Sequence, residues 1–136
     1  MDITLILFVI VFGIGLILLV FTSPATKVRQ KKVDALKQEF YSHAKSIKSA
    51  SRGELRDMVV KMDKTLADTL RFHFNNSDTI GENLKSLRGK YDKSLMDKIW
   101  KYHKIRNRVV HDSVDVRADT VYAMYNSYLV LIHKII

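Results

Sequence analysis

The residues best suited to chemistry lie late in the chain, in the run Lys104-Ile105-Arg106-Asn107-Arg108-Val109-Val110-His111-Asp112. Here an acid–base residue, His111, follows a polar and cationic cluster at short, regular spacing. At about 100° per helical residue, Leu95, Ile99, Tyr102 and Val109 form one stripe, and Arg106 falls in its middle. A core-facing guanidinium is costly unless it is paired or bound to an anion. Asn107 and His111 are four residues apart, on an adjacent face with Trp100 and His103. One helix end thus presents a guanidinium, a carboxamide and an imidazole, groups that hold an anion and move a proton near neutral pH. Two plainer assignments use the same residues: an Arg satisfied by an acid or by carbonyls, and a His interacting with the helix dipole.

Those side chains need a helical frame. The 136-residue chain contains a single Pro and no run of alternating β-branched residues, so its fold class is expected to be all-α. It has no Cys, which excludes disulfides and thiolate sites and leaves the redox compartment open. Residues Ile3 to Phe21 form an uncharged run of 19, with Thr4 its only polar member. At about 1.5 Å per residue this nearly matches a hydrocarbon core of roughly 30 Å. A cleaved signal peptide fits less well, because Asp2 precedes the run without Lys or Arg and the run exceeds a usual apolar signal core. Lys27, Arg29, Lys31 and Lys32 all follow it, which predicts a single-pass anchor in the cell membrane with the C-terminal domain cytoplasmic. The same four cations lie where anionic lipid headgroups would meet them, although topology alone also explains them.

Three segments are expected: 1–23 a transmembrane anchor, 24–50 a juxtamembrane amphipathic helix, and 51–136 a small helical bundle. Ser23-Pro24 reads as a helix restart. Val33, Leu36, Phe40, Ala44 and Ile47 then recur at three- and four-residue steps, as a stalk or as part of the bundle. Ser51-Arg52-Gly53-Glu54 has capping-box spacing. It opens a helix whose face carries Leu55, Met58, Val59, Met62, Leu66 and Leu70. Asn75-Asn76-Ser77-Asp78 is a loop. A short helix near Ile80 to Leu87 closes at Gly89, and Asp92 caps the helix bearing the opening run. His73 lacks a His or carboxylate at ligand spacing, so no metal and no cofactor are expected. The last helix, about Arg117 to Ile136, is apolar on more than one face. That surplus suggests either a homodimer contact or a central helix enclosed by its neighbours.

Every one of the 23 Lys and Arg lies after the apolar run. Between Lys85 and Arg108 stand nine basic residues against only Asp92 and Asp97. Such a patch attracts polyanions such as RNA; a solvated basic face explains it nearly as well.

The pattern Arg-Asn-Arg-Val-Val-His, Arg106 to His111, resembles the hallmark of the HEPN superfamily of small helical bundles: an Arg, four to six residues, then a His. The resemblance includes the polar residue directly after the Arg and covers about Ser51 to Ile136. It implies a HEPN-like bundle, often dimeric, with Arg106, Asn107 and His111 at a cleft. In the metal-independent ribonucleases of that family, His111 would move the ribose 2′-OH or leaving-group proton. Arg106 would neutralise the phosphate in the transition state, and Asn107 would orient the phosphate or the His. One toxin-type branch carries a Tyr two residues after the His, where Ser113 stands here. Other members keep the fold without cleavage. The reading preferred from the sequence is therefore a membrane-tethered, non-catalytic RNA- or protein-binding and assembly module, with metal-independent ribonuclease as the alternative.

Overall fold

The computed structural model describes residues 2–136, in six α-helices and one 3-10 segment, with no strand among them. The helices are α1 (Ile3–Phe21), α2 (Pro24–Ser42), α3 (Arg52–Phe74), α4 (Ile80–Ser86), α5 (Lys93–His111) and α6 (Ala118–Ile135). The 3-10 segment is His43–Ser49. The all-α expectation holds. Two compact units divide the chain, Met1–Ala35 and Leu36–Ile136.

In the first unit, α1 is long and apolar enough to cross a membrane, and none of its side chains is buried. Its Ile, Leu, Val and Phe residues are all exposed, which in water would be a large unsatisfied apolar surface. The helix ends where Thr22 Oγ1 donates to Leu18 O at 2.7 Å. Ser23 Oγ then accepts from Thr26 N at 3.2 Å, so Pro24 begins α2 at the position where its missing N–H costs nothing.

The second unit begins earlier than the capping box at Ser51. Leu36, Phe40 and Ile47 are buried with the core, so the later half of the amphipathic segment is bundle rather than stalk. Phe40 stacks on Tyr125 with ring centroids 5.0 Å apart, an arrangement that adds to its area burial. The expected capping box is present: Glu54 N donates to Ser51 Oγ, and Ser51 N to Glu54 Oε2 at 2.7 Å. Helix α3 buries Leu55, Val59, Met62, Leu66 and Leu70, the i, i+4, i+7 pattern of one face. It ends at Asn75, whose φ of 51° is the left-handed conformation that Asn tolerates.

A second capping box, Thr79 with Glu82, opens α4. Past α4 the chain turns through Gly89 at φ 78°, a conformation that glycine adopts without a Cβ penalty. Asp92 then caps α5 by accepting from Leu95 N at 3.0 Å.

Helix α6 packs against α3, α5 and the 3-10 segment. Its buried residues are Val121, Met124, Tyr125, Tyr128, Leu131, Ile132 and Ile135. Both apolar faces are thus covered within the chain, and the large hydrophobic residues α6 leaves exposed are Tyr122 and Val130. A homodimer through this helix would be built on those two.

Candidate functional site

The polar centre of the bundle is Asp63, a carboxylate in the apolar face of α3 with its side chain 4% exposed. Three donors converge on it. Tyr128 of α6 donates its hydroxyl to Oδ1 at 2.8 Å. His103 of α5 places Nδ1 at 3.1 Å and 3.2 Å from the two carboxylate oxygens, which sets Nδ1 as the protonated nitrogen. Arg106, one turn further along α5, brings Nε to 3.5 Å from Oδ2. Burial raises the Tyr128 hydroxyl well above its ordinary pKa, and the Asp63 charge raises it further. Tyr128 therefore stays a neutral donor. A buried carboxylate needs this number of partners to be tolerated.

The charge in the middle of the α5 stripe has thus found an acid. Arg106 also donates Nη1–H to Asn107 Oδ1 at 3.0 Å, which brings together two of the three predicted site residues. Its Nε is buried without hydrogen-bond geometry to any acceptor among the described residues, so the pairing with Asp63 is a contact ion pair without a hydrogen bond. His111 stands apart. It is the last residue of α5, exposed, and its side chain makes no hydrogen bond or ion pair among the described residues. Five positions along a helix is a rotation of about 140° from Arg106, so the two do not share a face. Asn107 and His111, four apart, do.

Asp63, His103 and Tyr128 were not assigned roles from the sequence. A signal for Asp63 was present: Val59, Asp63, Leu66 and Leu70 step by four, three and four along α3, so one acid interrupts an apolar stripe. Arg106 interrupts the α5 stripe in the same way. Opposite charges in two core-facing stripes are a pairing pattern.

The outer face of α5 is cationic. Lys98, Lys101, Lys104 and Arg108 are exposed and meet no acid among the described residues. The two acids of this stretch are already engaged, Asp97 with Lys93 at 2.7 Å and Asp92 with the helix N-terminus. Aromatic rings interleave with these charges. The Arg88 guanidinium lies 5.7 Å over the Trp100 ring, Lys90 lies 5.7 Å over Phe74, and Lys101 lies 5.9 Å over Tyr102. Attraction of a cation to the ring face accounts for each contact.

His73 is a packing residue: its Nδ1 meets Ile135 O at 2.9 Å and ties the end of α3 to that of α6. No group of three or more His, Asp or Glu among the described residues has the arrangement to hold a metal ion. Compared with known proteins, the chain matches no protein-family model, no curated protein and no solved structure.

Proposed function

We propose that this chain is a membrane-tethered, HEPN-like helical module that binds RNA on the cytoplasmic side without cleaving it. The observation that carries the reading is the exposed row Lys98, Lys101, Lys104 and Arg108, cations that no acid neutralises among the described residues. In a fold so rich in i, i+4 ion pairs, such as Lys61–Asp57 and Lys64–Asp68, an unpaired row is a surface held for an external anion. The apolar helix α1 supplies the anchor. The one-sided flank Lys27, Arg29, Lys31 and Lys32 supports a cytoplasmic C-terminal side, where these cations would also meet anionic headgroups.

The placement of the candidate pair supports binding over cleavage. A metal-independent ribonuclease of this type needs Arg106 and His111 on one phosphate. Here Arg106 already faces Asp63, while His111 stands exposed at the end of α5.

The test is anisotropy of labelled single-stranded RNA with the full chain in nanodiscs of zwitterionic lipid. With about four phosphate contacts, log K should fall against log salt with a slope near −3. The double variant Lys101→Glu, Lys104→Glu should bind at least tenfold more weakly. Binding that is absent, or indifferent to salt and to the double variant, would overturn the reading.

A further inference from the structure

The cationic face contains one recess with walls of a different kind. Beside the turn through Gly89, the chain after α4 and the first half of α5 leave a cleft of about 490 Å³ lined by Arg88, Tyr91, Lys93, Met96, Asp97 and Trp100. Its floor is apolar and aromatic, and its rim is cationic. Asp97, the one acid on the wall, is already held by Lys93 at 2.7 Å. A second basin shares Arg88, Asp97 and Trp100 and reaches Lys104, so the recess opens onto the basic row.

Trp100 is the only tryptophan in the protein, and it sits here half-buried. Its Nε1 is enclosed yet has no acceptor among the described residues. An enclosed indole N–H without a partner is uncommon and costs stability. One side of the ring is covered by the exposed Arg88 guanidinium, and an edge meets Gly81 of α4, where an added Cβ would lie 3.7 Å from the ring. Tyr91 is fixed from behind, its hydroxyl donating to Lys134 O at 3.4 Å.

We infer that this cleft is a nucleotide subsite for single-stranded RNA, in which one base stacks on the Arg88–Trp100 pair while its flanking phosphate lies on Lys104. This deepens the RNA-binding reading and rests on it. A planar guanidinium over an indole offers an outward π-surface to any base, and Lys104 beside it matches the adjoining phosphodiester. Duplex RNA would not serve, because its bases are stacked within the helix. An acidic peptide would satisfy the rim but leave the aromatic floor unused.

The sole tryptophan gives a direct readout. The full chain in zwitterionic detergent micelles, which add no second tryptophan, is titrated with single-stranded oligouridylate and oligoadenylate of about ten nucleotides. Trp100 emission should be quenched saturably, in step with anisotropy. An abasic oligomer of equal length should bind about tenfold more weakly and leave the emission unchanged. Arg88→Lys keeps the charge and loses the plane; it should weaken RNA binding several-fold without altering the salt slope. Arg88 is exposed, so this variant folds as the parent does. If RNA binds with the expected salt dependence but Trp100 emission does not respond and Arg88→Lys binds like wild type, the subsite is wrong and the basic-face reading survives. Equal binding of the abasic oligomer also removes the subsite. Quenching by polyglutamate as strong as by RNA would make the cleft a peptide site and overturn the nucleotide assignment. No RNA binding at all would remove both readings.

Discussion

Asp63 of α3 and Arg106 of α5 approach to 3.5 Å inside the bundle, each the only charged side chain in the apolar stripe of its helix. The pair explains why a guanidinium can point inward, and it ranks the consequences of mutation. Asp63→Ala removes the acceptor of Tyr128 and His103 and the counter-charge of Arg106 together. It should cost about 3–5 kcal/mol, the range for breaking a buried charge cluster. Arg106→Lys keeps a cation beside a carboxylate that retains its other two donors, and the Arg106 side chain is 32% exposed, so its cost should be clearly smaller. Circular-dichroism melts of the detergent-solubilised chain should give that order. A larger loss from Arg106→Lys than from Asp63→Ala would show that the network is not centred on Asp63.

Burial lowers the pKa of His43 from its ordinary 6.5; Glu39 and Asp57 oppose the shift and Lys61 assists it. The neutral ring is the form that packs, edge-on to Phe40 at 6.1 Å. A group with a depressed folded pKa contributes stability above its unfolded pKa and loses it as pH falls through the folded value. The difference in stability between wild type and His43→Gln should therefore shrink on going from pH 7.5 to 5. The same pair of melts at both pH values measures it, and a difference that widens in acid would contradict the sign.

What the sequence made legible is what depends on local rules. Capping at Ser51 and Asp92, the helix restart at Ser23-Pro24 and the loop at Asn75 follow from side-chain oxygens and backbone preferences acting over three or four residues. The start of the bundle was less legible, because Leu36 and Phe40 read identically in a stalk and in a core; Phe40 is covered by Tyr125, far along the chain. The site was legible only in part. Arg106 stood out as a charge in a stripe, but its partner could not be chosen from periodicity alone. His111 lay near Arg106 in sequence, and a continuous helix turned that nearness into angular separation.

The proposed topology predicts protection from outside reagents. The chain has no native cysteine, so a single one at the exposed Asn126 is a unique label. In intact cells it should resist an impermeant maleimide and react fully after lysis. Reaction without lysis would place α6 on the outer side and reverse the orientation.

The last expectation separates binding from turnover. His111 is exposed at the end of α5 and its side chain makes no hydrogen bond or ion pair among the described residues, so His111→Ala should change the melting free energy by less than about 1 kcal/mol. If the module only binds, RNA incubated with wild type in a chelator stays intact, and His111→Ala binds within about twofold of wild type. A metal-independent ribonuclease gives the opposite pair of results: cleavage in the chelator, lost with His111→Ala at unchanged stability. Arg106→Lys adds the second axis. A phosphate-holding Arg loses its forked contact and its activity while the fold persists; an Arg held for Asp63 shows its effect first in the melt. Cleavage gels in a chelator, run beside melts of wild type, His111→Ala and Arg106→Lys, therefore discriminate the two functions. Cleavage that disappears with either variant at full stability would replace the binding module with a nuclease.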